Sequence, residues 1–229
     1  MSKNLKVLIP LQLASTRVKK KNIRPFYRGL SLFDIKAQQL IKAGIRPNDI
    51  FVSSESEEVV PILEKYNFNY VKRPECLTGN SVKQPDLIGN FLANIPHDDA
   101  DILWIQVTNP LFGHSQIVRM IDQWNEVQKN GYDSIIAVKT IRHHIVHESG
   151  IPINFNFGYW HKVSQDLPKI YEILWSAFLL KRETIEKTKY HIGMKPFYMP
   201  FDDVVTIDID TTLDFELAAY IYEKKAKES

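Results

Sequence analysis

The chain has 229 residues, 44% hydrophobic and 24% charged, with 29 basic residues against 27 acidic ones and a formal charge of +2. That length supports a full core in one α/β domain carrying an insertion or small arm, and the near-balanced charge excludes the broad basic field of a nucleic-acid binder. Cys76 is the only cysteine, which excludes an intramolecular disulfide; no window approaches about 18 consecutive apolar residues, which argues against a membrane span; and Met1 to Lys6 lacks a signal-peptide core. A cytoplasmic location with neither nucleic-acid nor membrane partners is the expectation.

Lys6 to Pro10 (KVLIP) reads as a short buried strand, and the polar, basic stretch Leu11 to Arg28 as a loop. Gly29 and Ser31 precede a helix that sets Phe33, Ala37, Leu40, Ile41 and Gly44 on one face. Ile50 to Ser53 is predicted as the second strand, Glu55 to Tyr66 as a helix and Asn69 to Arg73 as the third strand. Pro85 to Ala93 follows as a helix and Ile102 to Val107 as the fourth strand. Ile117, Met120, Ile121, Trp124 and Val127 then mark an amphipathic helix, and Ser134 to Val138 a buried strand. From 141 to 187 the pattern loosens, and Asn154 to Trp160 alternates as an antiparallel arm would. Val204 to Ile209 (VVTIDI) is predicted as the last strand, before a helix with Leu213, Leu217, Tyr220 and Ile221 on one stripe.

This alternation predicts right-handed βαβ crossovers and a three-layer α/β sandwich with a mostly parallel central sheet. The core is expected over 1–140 and 188–229, with 141–187 an inserted arm for dimerisation and substrate binding. Ligands of such sheets sit at the carboxyl ends of the strands. The first loop there holds Ser15, Thr16, Arg17, Lys19, Lys20, Lys21 and Asn22. Hydroxyls, backbone N–H groups and cations in one loop suit a polyphosphate, although a solvated basic loop has the same composition. It lacks the glycines and lysine spacing of a Walker loop.

Asp208 and Asp210 stand two apart, so on a strand they would share a face and could hold a hard cation such as Mg²⁺. A helix-capping pair is the alternative. Arg73, at the end of a strand, would project its guanidinium fork at the carboxyl edge of the sheet, or else form a surface ion pair. His143, His144 and His147 (H-H-x-x-H) differ from the H-E-x-x-H zinc pattern and also suit a polar loop. Phe178, Phe197 and Tyr198 are candidate pocket walls or core residues.

Ile9 to Ile23 (IPLQLASTRVKKKNI) is similar to the I-P-A-R-x-G-S-K-G-x-x-x-K-N-I motif of bacterial sialic-acid cytidylyltransferases, while Ala14 to Arg17 resembles the related Kdo enzymes. Lys21 to Leu32 resembles the family's K-N-I-R-x-F-x-G-K-P-L. Val52 to Glu58 resembles V-S-T-D-S-E-E, and Arg73, Pro74 and Leu77 resemble R-P-x-x-L. Gln106 to Leu111 is similar to Q-P-T-S-P-L, Asp133 to Val138 to D-S-V-x-S-V, Gln165 to Pro168 to Q-D-L-P, and Ile207 to Asp214 to I-D-I-D-T-x-x-D. Each match is weak alone, but together they keep the family's order along nearly the whole chain.

The resemblance implies a GT-A-like fold of the nucleotide-diphospho-sugar transferase kind, and transfer of CMP from CTP to a nine-carbon (or eight-carbon) 2-keto sugar acid in a homodimer. It implies catalytic roles for Lys21, Asp208 and Asp210, the two aspartates binding Mg²⁺. Gln12, Ala14, Ser15, Arg17, Asn22, Arg73 and Gln84 are placed on the nucleotide, and Gln106, His143, Phe178 and Phe197 on the sugar acid. Asp214 belongs behind the metal or in the first turn of the last helix. The chain departs from the family at Gln12, where an arginine is usual, at Thr16 for lysine, at Trp175 and Ser176 for Asn-Gly, and at Phe112 for a common arginine. These departures leave room for a different sugar acid or for a weakened, nucleotide-binding homologue. A glycosyltransferase on the same fold is a further alternative.

Overall fold

The computed structural model describes residues 4–14, 18–79 and 81–228. In chain order, β1 (Leu5–Pro10) is followed by a small antiparallel hairpin of β2 (Pro25–Tyr27) and β3 (Leu30–Ser31), then α1 (Leu32–Lys42). Next come β4 (Ile50–Ser54), α2 (Val60–Glu64), β5 (Asn69–Lys72), α3 (Gln84–Ala93), β6 (Asp101–Ile105) and α4 (His114–Val127). The chain closes with β7 (Ser134–Ile141), β8 (Ile170–Lys181), α5 (Arg182–Thr188), β9 (Pro196–Phe201) and α6 (Thr212–Glu228).

One sheet runs β5-β4-β1-β6-β8-β7-β9. All neighbours pair in parallel except β8, which runs antiparallel to both β6 and β7. The sheet is therefore mostly parallel, with apolar layers on both faces, as expected. One layer packs Phe33, Leu40, Met120, Trp124 and Phe215 against Val7, Ile9 and Ile105. The other packs Ile88, Phe91 and Ile185 against Leu8, Trp104 and Phe178. Alternation along β1, with Val7 and Ile9 on one face and Leu8 on the other, is the period-two signature of a strand buried on both sides.

After β1 the chain builds outward through β4 to β5, then returns to the other side of β1 to form β6. The strand order therefore reverses between β1 and β6, opening a crevice at their carboxyl ends. Among the described residues no helix is long and apolar enough to cross a membrane.

Three sequence expectations need correction. The arm expected over 141–187 divides, because Ile170–Lys181 is a sheet strand inserted between β6 and β7. Its core-facing run from Phe178 to Leu180 is wholly buried, which a peripheral arm would not be. Only the segment between β7 and β8 stands apart, and it is knit locally. Asn154, itself buried, donates from Nδ2 to the His143 carbonyl (2.8 Å) and accepts at Oδ1 from the Ile145 N–H (2.9 Å).

The last strand is Pro196–Phe201, paired with β7, and not Val204–Ile209. The apolar VVT run closes instead into a 3-10 turn, in which the Thr206 hydroxyl donates to the Asp203 carbonyl at 2.6 Å. On α6 the stripe of Leu213, Leu217 and Tyr220 is solvent-facing, while Phe215 and Ala218 enter the core. Phe215 and Tyr222 meet Phe26 of the hairpin edge-on, at 5.2 and 5.9 Å, and so fix which face turns inward.

Candidate active site

A cleft of about 400 Å³ lies at the crevice between β1 and β6, within the usual range of small-ligand pockets. The loop after β1 supplies Gln12, Ala14, Lys21 and Asn22, and the start of α3 supplies Gln84. Arg73 enters from just beyond β5, Gln106 and Thr108 from just beyond β6, and Asp210 from the segment before α6. Ser15, Thr16 and Arg17 fall outside the described residues.

The turn that aims Lys21 is tightly wound. Lys20 takes a left-handed conformation (φ 48°), and its carbonyl accepts from both the Ile23 and Arg24 N–H groups. Non-glycine residues rarely adopt that backbone, and such strain collects at functional positions. The Lys21 ammonium donates to the Ile209 carbonyl and stands 3.7 Å from the Asp210 carboxylate. The cationic turn and the acidic segment thus meet across one rim of the cleft.

Asp208 and Asp210 do not share a strand face as the sequence suggests; they occupy the irregular connection between the 3-10 turn and α6. Asp210 lines the cleft, and Asp208 lies beside it, its Oδ1 accepting from the Ile209 N–H at 3.0 Å and its charge interacting with Asp210 and Lys21. The Asp208 carboxyl keeps accessible surface, yet protein crowded around it strips hydration and raises its pKa. The nearby Asp210 charge pushes the same way; the Thr108 side chain, the Lys21 charge and the Ile209 N–H oppose it. Asp214 accepts from the Thr211 N–H at 2.7 Å and its hydroxyl at 2.8 Å, so it caps the start of α6.

Two oxygen-donor side chains that repel one another suit a hard divalent cation. Among the described residues no group of three or more His, Cys, Asp or Glu converges to hold a metal. A cation at this rim would therefore need oxygens from a ligand as well, and nucleotide phosphates are such oxygens.

Arg73 is buried and pinned, with Nη2 donating to the Ser53 carbonyl at 2.8 Å and Nε to the Ser53 hydroxyl at 3.3 Å. Those bonds fix the guanidinium plane at the cleft wall, as recognition of a planar base requires. Asn22 Nδ2 donates to the Gln12 carbonyl at 2.8 Å, closing the loop on itself. The Gln106 N–H donates to the Ser176 carbonyl at 2.9 Å, which continues the β6–β8 edge into the cleft.

Glu55 is a partner that sequence reasoning missed. Its Oε1 accepts from the Leu13 N–H at 2.7 Å and the Ala14 N–H at 3.1 Å. The N–H of Ala14, a residue the resemblance places on the nucleotide, and that of its neighbour Leu13 are thus satisfied by a carboxylate. The VSSESEE stretch contains Glu55, but only the folded β1–β4 adjacency brings it to the loop.

Three residues expected at the sugar acid lie elsewhere. Phe178 is fully enclosed, because β8 is paired on both edges and turns this ring into the second apolar layer. Phe197 on β9 packs edge-on against Tyr132 at 5.3 Å, away from the cleft. His143 is exposed beyond β7. Its neighbour His144 stacks on His161 at 4.6 Å, and His147 bonds Ser149, so the histidines form no common site.

A cationic turn facing an acidic pair at the strand-order reversal of a largely parallel sheet defines an α/β domain whose cleft suits a phosphate-bearing ligand. The sequence model of the family described as cytidylyltransferase matches residues 6–226, and the chain belongs to that family. It is 23% identical over 217 residues to the N-acylneuraminate cytidylyltransferase of Streptococcus agalactiae serotype III (strain NEM316), covering 91% of this chain and 51% of that one. Against the N-acylneuraminate cytidylyltransferase of Escherichia coli O18:K1:H7 (strain RS218 / NMEC) the identity is 23% over 186 residues, covering 78% and 43%. The chain thus spans about half the length of these relatives.

The fold is similar to that of CMP:2-keto-3-deoxy-manno-octonic acid synthetase complexed with CTP (TM-score 0.66, 10% identity, 97% of this chain and 100% of that one). It is equally similar to 4-diphosphocytidyl-2C-methyl-D-erythritol synthase from Anaerococcus prevotii DSM 20548 (TM-score 0.68, 12% identity, 96% and 99%).

Proposed function

We propose that the chain transfers CMP from CTP to the anomeric hydroxyl of a sialic-type, nine-carbon 2-keto sugar acid and releases pyrophosphate, using Mg²⁺ at Asp208 and Asp210. The observation that carries this reading is the 3.7 Å approach of Lys21 to Asp210 on the rim of a cleft also lined by Arg73 and Gln106. A cation on the two carboxylates would screen phosphate charge and make the α-phosphorus more electrophilic.

The protein's own groups do the positioning. Arg73, immobilised on Ser53, meets the cytosine edge. Lys21, with its side chain only 13% exposed, neutralises charge that develops on the departing pyrophosphate in a partly dehydrated setting. Gln106 orients the acceptor. No covalent intermediate with the protein is needed, since catalysis of phosphoryl transfer is mostly alignment and charge stabilisation.

The test is pyrophosphate release from CTP across a panel of 2-keto sugar acids, eight-carbon ones included. Asp208→Ala is expected to remove turnover and leave the fold intact; full activity in that variant would refute the assignment.

A second reading, a nucleotide-binding homologue with little turnover, is favoured by the Glu55 carboxylate on the Leu13 and Ala14 donors and by the uncharged Gln12. Calorimetric CTP binding with no pyrophosphate release across the panel would select it. We also propose a homodimer through the segment between β7 and β8. Phe157, Tyr159 and Trp160 are 63%, 94% and 72% exposed there, more aromatic surface than a solvated loop requires. Sedimentation of the wild type against a Tyr159→Ser, Trp160→Ser variant tests it.

A further inference from the structure

On the first apolar layer a lysine sits where helix periodicity calls for an aliphatic residue. Lys36 of α1 is 0% exposed. Its ammonium donates to the Asn109 carbonyl at 3.1 Å and the Phe112 carbonyl at 2.7 Å, and lies 5.8 Å from the Phe112 ring centre. Both acceptors belong to the turn just after β6, where the Phe112 N–H also bonds the Asn109 carbonyl at 3.2 Å. Gln39, one turn further along α1, donates to the Pro110 carbonyl at 2.6 Å. Helix α1 therefore holds this turn by three of its carbonyls.

The other side of the same turn holds the acidic segment. Asn109 Nδ2 donates to the Ile207 carbonyl at 3.2 Å, and the Thr108 carbonyl accepts from the Ile209 N–H at 3.0 Å. That segment lies in no strand and gains no ladder of its own.

We infer that Lys36 is a positioning residue, fixing the Thr108–Phe112 turn that in turn sets Asp208 and Asp210 at the rim of the cleft. Asn109 is the link between the two halves of this relay. A methionine would fill the same volume but supply no donor, taking the lysine bond from the buried Phe112 carbonyl and leaving the Asn109 carbonyl only the Phe112 N–H. Burial lowers the Lys36 pKa to about 7, and a neutral amine still has two protons for its two acceptors. The tether therefore persists in either charge state. The inference deepens the reading of Asp208 and Asp210 given above and rests on it only for its effect on turnover.

Lys36→Met and Asn109→Ala are the test, each compared with the full-length wild-type protein. Amide exchange at Ile209 is expected to rise about tenfold in both, while amides of β1 keep wild-type rates; general loosening would raise all of them together. Affinity for Mn²⁺ in the presence of CTP is expected to fall about 10- to 100-fold, as for other changes behind metal-binding groups. Turnover should fall with it, and at saturating Mn²⁺ the KM for CTP should hold, since Arg73 and Asn22 are untouched. Combining the two substitutions should add little to either alone. A folded Lys36→Met protein with wild-type Ile209 exchange would overturn the inference; if that variant does not fold, wild-type exchange in Asn109→Ala overturns it equally. Should the wild type bind no Mn²⁺, the metal assignment fails, and Ile209 exchange still decides the role of Lys36.

Discussion

His191 gives the fold a pH dependence that can be worked out in advance. It lies between α5 and β9, 1% exposed, with Trp104 at 4.5 Å, Phe178 at 5.0 Å, Tyr190 at 5.5 Å and Trp175 at 6.0 Å around its ring. Among the described residues neither ring nitrogen has a hydrogen-bond partner. Burial therefore disfavours the imidazolium and lowers the pKa from 6.5 to about 4.

The folded pKa is depressed, so the stability tied to this group is complete above 6.5. Below that pH the unfolded chain takes up a proton that the folded chain refuses, and stability falls until about pH 4. That interval is worth about 3 kcal/mol. Urea denaturation followed by tryptophan fluorescence between pH 7.5 and 4 should show the midpoint falling by on the order of 1 M. His191→Leu, uncharged throughout, should flatten the curve over this window whatever its pH-independent cost. Asp34 and Asp49 do not obscure the result. Hydrogen bonds from Lys65, Ser31 and Tyr66 outweigh burial at Asp34, as Lys6 and Arg46 do at Asp49, and hold both below the usual carboxylate range. Their contribution is lost only at more acid pH. A His191→Leu protein that kept the wild-type slope between pH 6.5 and 4.5 would refute the reasoning.

Gly193→Ala drives a methyl into Asp133 Oδ1, displacing a carboxylate that accepts from the Met194 N–H at 2.7 Å and the Lys195 N–H at 3.0 Å. Loss of those two charge-assisted bonds should cost about 2–4 kcal/mol in chemical denaturation, and Asp133→Ala should make the glycine substitution nearly silent. Arg73→Lys keeps the charge but not the fork held by Ser53, so the KM for CTP should rise about tenfold or more with a smaller change in kcat, read from initial rates of pyrophosphate release.

The sheet was legible in the sequence wherever a segment is enclosed on both faces. β1, β4 and β6 are short apolar runs bounded by polar loops, and burial on both sides leaves no other composition workable. β8 was not legible as a sheet strand. Its first half, Ile170 to Trp175, carries half-exposed residues like an arm, and only the pairing with β6 and β7 shows that its second half is central. VVTIDI misled for the converse reason: its β-branched residues suit a strand, but the sheet offers that run no partner, and a side-chain hydrogen bond closes a turn.

At the site, the amino-acid sequence by itself determined which chemical groups are available: the basic loop after β1, Arg73, Gln106 and the D-I-D pair, each tied to its place by local pattern. Tertiary structure alone decided which of them meet. Lys21 reaches Asp210 across 188 intervening positions, Glu55 caps the Leu13 and Ala14 amides across the β1–β4 pair, and Lys36 underpins a turn more than 70 residues away. Periodicity encodes the direction of a side chain along its own element. The partner it meets depends on the order in which strands assemble into the sheet, a property of the whole chain that no local window contains.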